Sequence, residues 1–316
     1  MCIFKAYFFA ESTDCVNLQD NTNTYNMSLK IVVLAKQVPD TRNVGKDAMK
    51  ADGTINRAAL PAIFNPEDLN ALEQALRLKD AHPGSTVTIL TMGPGRAADI
   101  IREGLFRGAD NGYLLTDRAF AGADTLATSY ALATAIKKIG TCDIIIGGRQ
   151  AIDGDTAQVG PQVAEKLGMP QITYAEEILK VTDKTITVKR HIDGGVETVT
   201  GPLPMVITVT GSAAPCRPRN ARLVQKYKHA KTITEKQQGN LDYTELYDKR
   251  DYLNLVEWSV ADVQGDLAQC GLSGSPTKVK AIQNIVFQAK ENKTIGSNDR
   301  EIEELIVELL ANHTIG

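Results

Sequence analysis

The sequence predicts an α/β fold, a doubly wound parallel sheet with added antiparallel strands and a C-terminal arm. Three observations lead there. From Met27 onward, β-rich apolar runs alternate with segments of helical period. After Pro170 the pattern changes to short alternating runs, and beyond Pro215 it becomes polar and cationic, closing on one amphipathic helix.

The strands Leu29 to Ala35, Thr86 to Thr91, Gly112 to Leu115 and Asp143 to Ile146 are apolar and short, the signature of strands buried on both faces. Asn65-Pro66-Glu67-Asp68 reads as a helix start, with an Asn cap, Pro at the first helical position and acids at the positive end of the dipole. Leu69, Leu72 and Leu76 then repeat at i, i+3 and i+7, and the helix closes near His82-Pro83-Gly84. A further helix, Asp124 to Ile139, precedes the Ile-rich strand, and another is expected from Asp155 or Thr156 to Leu167. Past Pro170, the runs Gln171 to Tyr174, Ile178 to Val181, Thr185 to Lys189, Val196 to Thr200 and Val206 to Thr210 read as antiparallel strands, with a turn at Asp193-Gly194-Gly195. At the end, Asp299 to His313 places Ile302, Leu305, Ile306, Leu309 and Leu310 on one helical face. A lone helix cannot bury that face, so it is expected to dock on its own domain or on another chain.

The organisation that follows is a disordered extension over 1–26, an α/β domain over 27–215 and an arm over 216–316. The first segment has a single short apolar patch, Ala6 to Ala10, too short for a secretory signal or a membrane span, which needs about 20 apolar residues. Met27 is followed at once by a strand, so the plain reading is a natural start there, with Met1 as the alternative. With a formal net charge of -3 and no basic stripe, nucleic acid is not an expected partner. Five scattered cysteines without a Cys-x-x-Cys pair, and no His at ligand spacing, point to a reducing compartment, the cytoplasm, and away from a metal site.

Two loops compete as the ligand site. Gly93-Pro94-Gly95-Arg96-Ala97-Ala98 follows a strand, opens a helix and matches the G-x-G-x-x-A dinucleotide pattern, with Asp117 about 20 residues on as a ribose-binding acid. Such glycine turns recur in α/β proteins as plain turns, so both readings stand. The second loop, Gly147 to Gln162, leaves the strand at Gly147 and Gly148, and Asp155-Thr156 can cap the next helix. Amides at that helix start favour phosphate, and Arg149 adds a fork of donors. Asp153 and Asp155 fit beside an anion only if they bond ribose hydroxyls or backbone amides. A bare glycine turn with caps would need fewer of these polar residues.

Acids, bases and nucleophiles in catalytic arrangement are absent. His82, His191, His229 and His313 are isolated, there is no G-x-S-x-G elbow, and no Cys has a His partner. A chain that binds a nucleotide without such groups points away from an enzyme acting through its own side chains and toward a bound cofactor that supplies the chemistry.

The loop Gly148-Arg149-Gln150-Ala151-Ile152-Asp153-Gly154-Asp155-Thr156-Ala157-Gln158-Val159-Gly160-Pro161, with Ala164 to Leu167 and Pro170-Gln171, resembles the signature of the electron transfer flavoprotein β subunit. Val32 to Asp40, Asn65-Pro66, Gly93-Pro94 and Asp193-Gly194-Gly195 match in order and spacing, and the resemblance covers nearly all of 27–231. It implies a Rossmann-like, adenine-nucleotide-binding domain whose site is formed by Leu34, Asn65, Pro66, Glu67, Asp68, Met92, Gly148, Arg149, Gln150, Ala151, Ile152, Asp153, Gly154, Asp155, Thr156, Ala157, Gln158 and Val159. It also implies an α-subunit partner wrapped by the C-terminal arm.

Housekeeping members of that family hold AMP in the β site as a structural ligand. The bifurcating members resemble this chain more closely, in Gly154 to Pro161 and in Gly274-Ser275-Pro276-Thr277, and hold a second FAD there. That FAD takes a hydride from NADH and divides the electrons between a high- and a low-potential acceptor, so FAD with NADH is the preferred expectation and AMP the alternative. Pro218-Arg219-Asn220-Ala221-Arg222-Leu223 aligns with the family's recognition loop, in which a leucine, here Leu223, anchors an acyl-CoA dehydrogenase. Asn220 departs from the aromatic common at that place, and a solvated basic helix is the plainer reading of Arg222 to Lys231. A stand-alone adenine-nucleotide binder of the same α/β type, such as a stress-type ATP binder, is the competing hypothesis.

Overall fold

A computed structural model describes residues 27–40, 60–239, 244–277, 294–312 and 315. The extension over 1–26, and His313 at the end of the last helix, lie outside the described residues. Two compact units divide between Lys278 and Val279.

The first unit is built on a nine-stranded sheet. Its strands are β1 (Lys30–Leu34), β4 (Thr86–Met92), β5 (Asn111–Leu115), β6 (Ile144–Gly148), β7 (Gln171–Val181), β8 (Thr185–Ile192), β9 (Gly195–Pro202), β10 (Met205–Val209) and β11 (Val256–Trp258), while β2 (Gln37–Pro39) and β3 (Ala62–Phe64) form a separate hairpin. The spatial order is β11-β5-β4-β1-β6-β10-β7-β8-β9. All pairs up to β10-β7 are parallel, and β7-β8 and β8-β9 are antiparallel.

The helices of this unit are α1 (Pro66–Ala81), α2 (Ala98–Arg107), α3 (Thr125–Ile139), α4 (Val159–Leu167), α5 (Ala221–Tyr227), α6 (Ile233–Gln238) and α7 (Glu245–Lys249). Alternate residues of the central strands feed two cores, as the period of two requires. Ile31, Val33, Ile144 and Ile146 meet Leu72 and Leu76 of α1 and Ile101 of α2 on one face. Val32, Leu34 and Ile145 meet Ala131, Leu132 and Ile136 of α3 and Val163 of α4 on the other. Helices on both faces explain why β1 and β6 carry no polar alternation.

Several expected elements take a different form. Val206 to Thr210 is not an antiparallel addition: β10 runs parallel between β6 and β7 and is buried throughout. Its unbroken apolar run, Met205 to Ile207, is the signal for such a strand. Gln171 to Tyr174 and Ile178 to Val181 are one strand, β7, bent by register shifts around Glu176 and Leu179. The expected domain end near residue 215 falls inside the first compact unit, because β11 extends the sheet beside β5 and its Trp258 stacks on Tyr113 at 4.1 Å.

Gly274 to Thr277 folds back on the start of α3. The Asp124 carboxylate accepts from the Leu126 and Ala127 amides through Oδ1, and from the Thr277 amide and hydroxyl through Oδ2. Burial alone would raise its carboxyl, but these donors together hold it below the usual carboxylate range. Asp124→Ala removes a helix cap and this clasp together, and a loss of about 1–2 kcal/mol in urea unfolding is expected.

The second unit contains α8 (Asp299–Ala311), capped by the Asn298 side chain on the Glu301 amide. No residue of α8 is buried: Ile302, Ile306 and Leu310 are 41%, 46% and 48% exposed.

Candidate functional site

Strand β1 is followed in space by β4 on one side and by β6 on the other, so the winding reverses between β1 and β6. In open parallel sheets the crevice at the carboxyl end of such a reversal is where ligands bind. Leu34, at the end of β1, pairs with Gly147 of β6, and it packs with Met92 from the end of β4 in the same apolar cluster. Residues from distant parts of the sequence thus reach one rim.

The β2-β3 hairpin brings the chain back to that rim, where the Asn65 amide donates to the Lys36 carbonyl at 3.0 Å. The first turn of α1 then does something other than the expected capping. Asn65 is at the N-cap, but its side chain makes no cap bond. Instead its Nδ2 donates to the Gln150 carbonyl at 2.9 Å, and its Oδ1 accepts from the Ile152 amide at 3.2 Å. Glu67 accepts from the Gln150 amide at 2.9 Å and from the Arg149 guanidinium at 3.1 Å. Asp68 accepts from the Lys36 amide at 2.8 Å and the Gly148 amide at 2.9 Å. The acids of α1 therefore hold the loop that leaves β6.

Asp68 is buried, and burial pushes its carboxyl up to about 7, although the bonds from Lys36, Asn65 and Gly148 pull the other way. Glycine is required at 148 by this packing. A Cβ there would fall 2.8 Å from the Asp68 amide nitrogen and 2.8 Å from the Glu67 carbonyl carbon.

Beyond Ile152 the loop opens. Lys36, a site residue the sequence reading missed, pairs with Asp153 at 2.7 Å, giving that carboxylate a cation within the protein. The only sequence signal for Lys36 is its place just past the carboxyl end of the first strand. Asp155 accepts from the Gln150 side chain at 3.0 Å. Asp155 and Ala157 adopt positive φ values of 49° and 54°, uncommon for residues with a side chain and recurrent at ligand-binding turns.

The helix does not start at Asp155 or Thr156. Helix α4 begins at Val159, its N-cap is Gln158, and no side chain caps it. The Gln158 side chain instead accepts from the Thr125 hydroxyl at 2.9 Å. The consecutive amides of Thr156 through Gly160 consequently have no acceptor among the described residues, and Pro161 has no N–H to offer. Gly160 lies against Thr208 of β10, which seats this amide row on the sheet.

Three expected ligand contacts have partners within the protein. Asp117, proposed for a ribose, accepts from the Ala119 amide at 3.0 Å and the Val260 amide at 3.2 Å. The Gly93 loop is a turn tied to its neighbours, Gly93 donating to Leu115 and Gln37 donating to the Arg96 carbonyl at 3.1 Å. Arg149 is not a free phosphate fork, since Glu67 binds one end and the Tyr174 ring lies 5.6 Å from its guanidinium carbon. Its Nε is buried without a partner in the protein.

Leu223 is far from this rim along α1. It is half-buried in α5 against the first core, in a groove shared with Leu76, Lys79 and Asp80 near the other end of that helix. Asn220, which replaces the expected aromatic, caps α5 by accepting from the Arg222 and Leu223 amides.

Residues 52–239 match the family described as electron transfer flavoprotein domain. The chain belongs to the electron transfer flavoprotein family. It is 42% identical over 293 residues to the electron transfer flavoprotein subunit beta of Megasphaera elsdenii, covering 89% of this chain and 99% of that one. It is also 42% identical over 252 residues to subunit CarD of the caffeyl-CoA reductase-Etf complex of Acetobacterium woodii, covering 79% and 86% of the two chains. With the acryloyl-CoA reductase electron transfer subunit gamma of Anaerotignum propionicum it shares 40% over 292 residues, covering 91% and 100%. These matches make it an electron transfer flavoprotein chain of the β-subunit type. No helix among the described residues is long and apolar enough to cross a membrane.

Proposed function

We propose that this chain is the β subunit of a heterodimeric electron transfer flavoprotein that binds FAD in the β1-β6 crevice. It would pass electrons between NADH, an FAD of the α subunit and an acyl-CoA dehydrogenase partner by flavin-based bifurcation. The observation that carries the reading is the amide row Thr156 to Gly160 at the start of α4, without an acceptor among the described residues, on the same loop whose first part the opening turn of α1 holds at the end of β6. A row of amides with a helix dipole behind it suits a pyrophosphate. The buried, partnerless Nε of Arg149 is a second donor fitting a phosphate-bearing ligand.

When bound, FAD supplies the hydride and single-electron chemistry that the chain's own side chains lack. The protein's part is binding and orientation. Asn65, Glu67 and Asp68 fix Gly148 to Ile152, Lys36 holds Asp153, the Gly154 and Asp155 amides close a turn on the Ala151 carbonyl, and Thr156 to Gly160 present amides to the ligand. Leu34 and Met92 supply the apolar floor.

The exposed apolar side of α8 supports an obligate α-subunit partner over a stand-alone nucleotide binder. Two relatives bear the names of reductases of CoA thioesters, which supports a partner dehydrogenase acting on that class. Free Cys142, Cys216 and Cys270 suit the reducing cytoplasm.

Copurification with the α chain, followed by nucleotide release and counting, tests the reading. Two FAD per heterodimer is the expected result. One FAD with one AMP would return the chain to a non-bifurcating carrier with a structural AMP, and neither flavin nor partner would reject both.

A further inference from the structure

We infer that Glu73, in the middle of α1, is a positioning residue that sets the docking segment 217–223 in its binding conformation before a partner arrives; this rests on the reading of Leu223 as a docking anchor. The Glu73 side chain is only 7% exposed, yet it serves a surface segment more than a hundred residues away in sequence. Its Oε2 accepts from the Arg217 amide and Nε, both at 3.0 Å, and its Oε1 from Arg217 Nη2 at 3.1 Å and from Arg77 Nε at 3.2 Å. Arg217 Nη1 reaches Asp80 at 2.8 Å. Burial alone would raise the Glu73 carboxyl, but these donors hold it below the usual carboxylate range.

The rest of the segment is pinned in series. Arg107 of α2 donates to the Arg217 carbonyl, Arg219 binds Glu103 at 2.8 Å, and the Asn220 amide donates to the Phe106 carbonyl at 2.8 Å. Asn220 then caps α5 and delivers Leu223 to the groove. Against well-packed apolar residues, a buried ion pair contributes little net stability. What a bidentate carboxylate-guanidinium pair supplies is direction. A segment ordered in advance binds without the entropic cost of ordering it at encounter. Glu73 is thus the fixed point from which the anchor is aimed.

The test uses the flavin-loaded heterodimer with Glu73→Gln, and with Arg217→Gln as a variant at the exposed end of the same pair should the first not fold. Amide hydrogen exchange over 217–223 is expected to quicken about tenfold or more, with exchange over 148–159 unchanged. With a short-chain acyl-CoA dehydrogenase as acceptor, KM is expected to rise about tenfold while kcat stays near its original value. Unchanged exchange over 217–223 in both variants overturns the inference. So does an unchanged KM when Leu223→Ala, run in parallel, raises it. If Leu223→Ala itself leaves KM unaltered, the docking reading fails instead, and the exchange rates still decide whether Glu73 positions the segment.

Discussion

Gly148→Ala is expected to cost about 3 kcal/mol of stability and, on the proposed reading of the β1-β6 crevice, to release the flavin held there. The added Cβ would meet main-chain atoms of α1, the Asp68 nitrogen and the Glu67 carbonyl carbon, each at 2.8 Å. A flexible side chain could swing aside, but the first turn of a helix cannot. Relief therefore requires the loop to lift from α1, which breaks the Gly148-Asp68 and Gln150-Glu67 bonds and leaves a buried carboxylate short of donors. With the loop lifted, the amide row of Thr156 to Gly160 farther along the same loop loses its fixed place. Thermal unfolding and flavin absorbance after desalting give the two readouts. A variant that melts like the parent and keeps its flavin would contradict the packing described for Gly148.

The second large effect is a pH dependence centred on Asp68. Its folded-state carboxyl lies near 7 against an ordinary value of 3.8, chiefly through burial. Because the folded state binds the proton more tightly than the unfolded chain, stability is greatest below the unfolded value and falls as pH rises between those limits. A shift of that size corresponds to about 4 kcal/mol, at ~1.4 kcal/mol per unit. The melting temperature is therefore expected to drop from pH 5 to pH 8. Asp68→Asn should flatten that slope, since an amide does not titrate, and should lower stability at pH 5. Its single carbonyl oxygen can accept from Lys36 or Gly148 while its NH2 group faces the other donor. A variant with the parent's slope would show that another group titrates there.

Both expectations depend on residues the sequence marked for partly wrong reasons. Asn65, Glu67 and Asp68 are legible as a helix start because their composition matches the capping rules. Their actual work is tertiary, on a loop some eighty residues later, and no local pattern encodes a partner at that distance. The parallel core was legible because strands buried on both faces need unbroken apolar runs, as in Ile144 to Ile146. Strand direction is less so: Ile207 to Thr210 alternates like the antiparallel runs before it, and only the unbroken Met205 to Ile207 marks β10 as a strand buried on both faces. Strand β11 escaped notice because three residues carry no period; only Trp258, the sole tryptophan, hinted at a buried partner. The beginning of α4 is not legible because Asp155 and Thr156 are good caps in composition, whereas the chain, with positive φ at Asp155 and Ala157, coils only at Val159, three or four residues later.

Helix α8 has a consequence for supply as well as for assembly. Its apolar stripe, Ile302, Ile306 and Leu310 with Val307 beside it, is open to water. Chains made in excess of their partner would present that stripe to chaperones, proteases and one another, the usual fate of uncovered apolar surface. Balanced synthesis of the two subunits would then be a physical requirement, with surplus β chain lost to turnover or aggregation instead of accumulating as a reserve.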